Sequence, residues 1–215
     1  MSGHGMLAPR VPDALEALEP AAIEDEGRYE AVELAGAGEL VGRHLTLAEC
    51  RVRGTLAGSR LPDLHLSDAI VAGADLANLQ APKAALRRTS IGHARLTGAT
   101  LSDASLRDVT FSDCRIDLAS LAVARLERVV FADCDLRETS FGEAVLRDVR
   151  FERCDLGGAE LSRVRLQRVV LAGCRLEGIN AVGDLRGATM PWPDIVANAG
   201  LFAAAAGIRP AEAST

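Results

Sequence analysis

The sequence predicts an all-β chain, a four-sided β-solenoid that ends in a short helix, and three observations predict it. Cys114, Cys134, Cys154 and Cys174 recur at an interval of twenty residues, as do Val109, Val129, Val149 and Val169, and Phe111, Phe131 and Phe151. Inside each twenty, a large apolar residue recurs every five positions, from Leu86 and Ile91 through Leu136 and Phe141 to Leu176. A small or β-branched residue stands two before nearly every one.

A period of five suits neither regular element. On a helix a five-residue step rotates the apolar position by about 140°, so the stripe winds round the cylinder. On a straight strand an odd period puts successive leucines on opposite faces. The chain keeps them all inside only by turning a corner every five residues. Four corners close a coil, and stacked coils place the four cysteines in one interior column at ~4.8 Å spacing.

Ala74-Asp75-Leu76-Ala77-Asn78, Cys134-Asp135-Leu136-Arg137-Glu138 and Cys154-Asp155-Leu156-Gly157-Gly158 carry a loose motif, Ala-(Asp/Asn)-Leu-x-x. In this the chain resembles the pentapeptide-repeat family over about residues 45 to 183. The resemblance implies a right-handed quadrilateral β-helix. Arg95, Arg115, Ser105 and Ser120 depart from the Asp or Asn of the motif, and Gln80-Ala81 and Asn180-Ala181 are poor centres, where irregular coils are expected.

Taken along the chain, residues 1–39 read as an acidic N-terminal arm: nine acids stand against Arg10 and Arg28, with three prolines and no five-residue beat. Residues 40–184 read as the solenoid, with a first coil that departs from the pattern because it must shield the core. Residues 185–215 read as a capping and dimerisation segment. Pro193 opens a helix there, Asp194 suits its first turn, and Ile195, Ala199 and Phe202 share one face, with a single helix expected from Trp192 to Ile208. Trp192, Ile195 and Phe202 are the expected dimer contact, and the resemblance implies a homodimer made by such a helix.

Composition excludes several classes. No run of eighteen apolar residues and no apolar signal segment is present, so a cytoplasmic protein without a membrane span is expected. Five cysteines then fit a reducing compartment. A linear stack over ~14 Å cannot converge on one metal ion, so the column reads as buried small hydrophobes, with Cys50 the more exposed thiol. The chain has no phosphate loop, no HExxH, no Gly-x-Ser-x-Gly elbow and no CxxC, which leaves neither an enzyme nor a cofactor reading.

Charge bears on partners. The net charge is −6, yet residues 45–185 hold nineteen acids and nineteen bases, and the first forty-four hold nine acids and three arginines. The acidity therefore reads as a property of the arm. One side of the rod carries Arg87, Arg88, Arg107, Arg125, Arg128, Arg147, Arg165 and Arg168 against Asp108, Glu127 and Asp148, and is the candidate interaction face. The column two residues past its centres alternates as Arg88, Asp108, Arg128, Asp148, Arg168, a pattern that stabilises the stack and opposes a slipped register. Low pI and few aromatic platforms argue against nucleic acid. On the next side His93, Asp113, Asp133 and Arg153 stack, a possible acid/base pair or a solvated ladder capped by cations.

The resulting expectation is a non-catalytic rod that meets another protein. The family resemblance makes DNA gyrase the specific partner, with resistance to its poisons. Residues 84–178 leave no room for a loop, so the likeness is to loop-free MfpA-type members rather than loop-bearing Qnr-type ones. A scaffold with another partner is the alternative.

Overall fold

The computed structural model describes residues 6–209, and they wind into a parallel β-solenoid followed by two short helices. Its strands are β1 (Glu16–Leu18), β2 (Arg28–Glu30), β3 (Val32–Ala37), β4 (Thr46–Ala48), β5 (Arg51–Thr55), β6 (His65–Ala72), β7 (Ala85–Gly92), β8 (Ser105–Ser112), β9 (Arg125–Ala132), β10 (Val145–Glu152), β11 (Arg165–Gln167) and β12 (Val170–Ala172). From β6 to β12 the strands pair with partners twenty residues along: Leu66 pairs with Leu86, Leu86 with Leu106, Leu106 with Leu126 and Leu126 with Leu146. Each eight-residue strand covers two sides of the square. Single bridges such as Arg95–Arg115 and Thr100–Ser120 hold the other two.

The corners have one physical cause. Every fifth residue from Gly58 to Gly178 has a positive φ, between 46° and 74°. A left-handed residue reverses the side-chain alternation, so the next centre points inward again. Most of these corners carry residues other than glycine, although the conformation costs about 1–2 kcal/mol for a side chain with a Cβ. Hydrogen bonds to both neighbouring coils offset that cost: the corner residue Glu138 donates its N–H forward to Gly157 at 2.9 Å, and Asp135 donates back to Cys114 at 3.0 Å.

Inside, the central residues and their small partners two before them fill the bore. Leu106, Phe131, Leu136, Phe141 and Leu146 are at most 1% exposed. Phe111, Phe131 and Phe151 stack at 4.8 and 5.1 Å, and Phe141 meets Phe131 and Phe151 edge-on. The N-terminal half has no such stack. There an apolar void of about 60 Å³ runs between Leu34, Leu56, Val71, Ile91 and Leu101.

The structure differs from the sequence reading at both ends. Much of the acidic arm belongs to the solenoid: β1 pairs with β3, and β2 and β3 pair with β4 and β5. The beat is hidden because these coils are short. Glu16 faces Val32, Glu33 faces Arg51 and Arg51 faces Ile70, offsets of sixteen, eighteen and nineteen residues. Ala81 keeps its place, fully buried, with Gln80 bridged to Thr100, whereas Ala181 breaks the corner rhythm with a φ of 57° and opens a 3-10 turn, Val182–Leu185.

At the C-terminal end the expected single helix is two, α1 (Trp192–Ala197) and α2 (Ala199–Ala205), broken at Asn198. Pro193 and Asp194 do stand in the first turn of α1. Asp194 also accepts the N–H of Gly173 at 2.6 Å, and Asp184 accepts that of Arg163 at 2.6 Å. Two carboxylates thus stand where a further coil would have supplied carbonyls, which closes the open edge. Among the described residues no helix is long and apolar enough to cross a membrane.

Candidate functional site

The predicted core column is buried as expected: Cys114, Cys134, Cys154 and Cys174 are free thiols at most 9% exposed. Each Sγ lies 3.4–3.6 Å from the carbonyl twenty-three residues back, from Ile91 to Phe151, so the thiols donate to backbone. Contacts with the Cys114 and Cys154 thiols, and burial, push the Cys134 thiol up. Cys50 corrects the sequence reading. It is fully buried, because its place two before Val52 is the small inward position of its coil, and burial pushes its thiol up to about 12.

On the outside, the alternating column runs up one corner of the rod and begins a coil earlier than the sequence reading took it, at Asp68. Each arginine pairs backward. Arg88 holds Asp68 through Nε at 2.6 Å and through Nη2, Arg128 holds Asp108 at 2.6 and 2.9 Å, and Arg168 Nη2 holds Asp148 at 2.6 Å. These are two-pronged charge-assisted bonds, and they keep all three carboxyls below the usual carboxylate range. Asp68 and Asp108 are buried, at 7% and 3% exposure.

Their cover is a strap that the sequence did not announce. Residues 6–12 run back along this corner from the middle of the rod toward its first coil. The Leu7 N–H donates to Asp108 Oδ1 at 3.3 Å, the Arg10 N–H to Asp68 Oδ1 at 3.2 Å, and the Thr110 hydroxyl meets Met6 Sδ at 3.7 Å. The only signal lies in Pro9 and Pro12, which hold the chain and the residue before each of them extended.

The rest of the arginine face is largely spoken for. Arg107 reaches Glu127 at 3.4 Å, Arg125 reaches Asp103 at 3.8 Å, and Arg147 donates to Gln167 at 2.8 Å. Arg87 and Arg165 are exposed and make no ion pair among the described residues. On the neighbouring corner Arg153 holds Asp133 at 2.6 Å, while His93 lies 4.0 Å from Asp113. That column is a solvated ladder capped by cations. A broad, open groove beside it, lined by Asp133, Asp135, Arg137, Arg153, Asp155 and Arg175, offers no closed site.

The acidic residues sit differently from the sequence reading. Glu16, Glu19, Glu24, Asp25, Glu26 and Glu30 are exposed on the first coils of the rod itself, beside Arg28. Glu33 and Glu39 are tied to the next coil through Arg53 at 2.7 Å and Arg60 at 2.9 Å. At the other end Trp192 is 73% and Val196 58% exposed on one face of α1, Ile195 is half-buried, and Phe202 packs against the core. Trp192 therefore does not cover the last coil.

Comparison with known proteins agrees with this architecture. A profile of the pentapeptide repeat region matches residues 84–161, and one of pentapeptide repeats (8 copies) matches residues 144–180. Among solved structures, similarity reaches HetL, a pentapeptide repeat protein involved in heterocyst differentiation regulation from the cyanobacterium Nostoc sp. strain PCC 7120, at 23% identity and a TM-score of 0.41 over 78% of this chain and 91% of that one. It also reaches QnrB1, a plasmid-mediated fluoroquinolone resistance protein, at 20% identity and a TM-score of 0.38 over 92% of this chain and 98% of that one. A pentapeptide repeat protein from the Arabidopsis thaliana thylakoid lumen matches at 20% identity and a TM-score of 0.37 over 45% of this chain and 67% of that one. No curated protein sequence matches the chain.

Proposed function

We propose, from the premise that the chain belongs to the pentapeptide-repeat family, that it is a rigid rod that binds another protein, with DNA gyrase as the partner and resistance to gyrase poisons as the outcome. The family is generally non-catalytic, and this rod is read as non-catalytic too. One observation carries the partner: the excess acid lies on the first coils of the rod, where Glu16, Glu19, Glu24, Asp25, Glu26 and Glu30 are exposed against Arg28. A DNA-binding saddle is cationic, and a rigid acidic end competes for it. The twenty-residue register from Leu66 to Leu166, with no loop inserted, supports a loop-free rod. Five free thiols suit a cytoplasmic setting.

The exposed apolar face of α1, Trp192 with Val196, is read as the contact of a homodimer, with Ile195 and Phe202 behind it. A second reading, a scaffold with a different partner, draws on the zero charge balance of residues 45–185. Gyrase supercoiling assays separate the two. The wild-type chain should inhibit supercoiling or protect against a poison, and the effect should fade with salt and with Glu24→Gln/Glu26→Gln/Glu30→Gln. No effect of the wild-type chain on gyrase would leave the scaffold reading in front.

A further inference from the structure

Among the described residues, Asp68 and Asp108 are the two carboxylates kept almost wholly from water, and each accepts a backbone N–H as well as an arginine fork. The spacing is what makes this a recognition device. Asp68 and Asp108 lie two coils apart, ~9.6 Å, and three residues of extended, proline-bearing chain rise ~9.3 Å. Leu7 and Arg10 are three residues apart, so their N–H groups return to the same side with the pitch of every second coil. No side chain of the strap makes these two bonds, so what is read is backbone conformation. The ladder runs on to Asp148, two further coils along, to which Arg168 alone donates among the described residues.

We propose that this Asp/Arg corner is a docking track for an extended, polyproline-like peptide, read through backbone N–H groups at every third residue, and that Met6–Pro12 is its resident occupant. The external occupant is a partner's proline-containing segment with the same i, i+3 pattern of free N–H groups. Such a segment has to displace the strap, whose tether gives it a high effective concentration. The track is independent of gyrase as a partner, since it uses neither the acidic first coils nor α1.

The test uses full-length chains and a 15N-labelled synthetic peptide with the sequence of residues 6–13, followed by its NMR shifts during titration. In one full-length variant, Leu7→Pro and Arg10→Pro remove both donors of the strap and leave every solenoid residue in place. That variant should bind the peptide at least about tenfold more tightly than the wild-type chain does, with the Leu7 and Arg10 amides shifting most. A peptide carrying the same two prolines should not bind. Failure of the native peptide to bind the opened variant, or equal binding of the proline-substituted peptide, would overturn the proposal. Adding Asp68→Ala and Asp108→Ala to the opened variant removes both acceptors and should abolish binding. Should that variant fold poorly, the comparison of the two peptides still decides.

Discussion

Replacing Ile91 by Phe should stabilise the rod, because its interior is hollow at that coil. Ile91 stands twenty residues before Phe111, at the end of the stack Phe111–Phe131–Phe151, and it lines the apolar void of about 60 Å³. At ~24 cal/mol per Å³ a void of that size represents ~1.4 kcal/mol of missing packing, of which one ring recovers about half. A ring at position 91 also gains a stacked partner, worth ~0.5–1.5 kcal/mol. Strain from the larger side chain opposes both, and in a filled core it costs ~1–3 kcal/mol. The void leaves a net gain of ~1 kcal/mol, or roughly 2–4 °C in Tm for a chain of this size. Leu126→Phe, in the filled half, is the control and should lose stability by ~1–3 kcal/mol. Thermal melts and urea titrations of both variants give the answer. Equal destabilisation by the two would refute the idea that the bore is empty on one side of Phe111 and full on the other.

Further outcomes follow from the same geometry. Leu136→Ala should cost ~2–5 kcal/mol by urea titration, whereas Arg137→Ala, exposed, should cost little. Val123 holds a φ of 62° while 47% exposed, so Val123→Gly should gain ~0.5–1 kcal/mol, and a loss would show that its side chain is used in the free rod. Asp68 and Asp108 have folded pKa values below the unfolded ~3.9, so the stability they add is present above pH 4 and is lost as pH falls through the folded values. Asp108→Asn should flatten that acid limb, and an unchanged urea midpoint between pH 5 and pH 2.5 in the wild-type chain would contradict it. Native thiol labelling should modify none of the five cysteines within minutes, and all five in denaturant. Sedimentation should show a dimer that Trp192→Ser/Val196→Ser converts to a monomer, and a wild-type monomer at micromolar concentration would remove the dimer from the account.

The middle of the chain was legible because one rule runs through it. From Leu86 to Leu176 each inward residue, each small partner and each corner falls on a fixed beat, so the sequence reading placed Phe131, Leu136 and the cysteine column where the structure has them. The first coils obey the same physics with sixteen to nineteen residues per turn, and a shortened coil destroys the period that reveals it. Glu33 and Glu39 were therefore read as arm, although both pair with arginines of the next coil. The arginine ladder was legible as alternation, and only its start at Asp68 was missed. The strap was not legible, since it is held through main-chain N–H groups and leaves no side-chain pattern. Nor was the break at Asn198, where apolar spacing runs on as if one helix continued.

The central claim is that outward residues twenty apart are neighbours on adjacent coils, and paired cysteines test it most directly. Thr110 and Val130 face each other across adjacent coils, and Arg150 lies one coil beyond Val130. The native thiols are buried and do not compete. In the pair Thr110→Cys/Val130→Cys the Cα atoms stand ~4.8 Å apart, within reach of a disulfide, and in Thr110→Cys/Arg150→Cys they stand ~9.6 Å apart, beyond it. Mild oxidation followed by peptide mass spectrometry should show the 110–130 disulfide forming readily and the 110–150 disulfide not forming in the native rod. No 110–130 bond, or equal yields for both pairs, would contradict a twenty-residue coil.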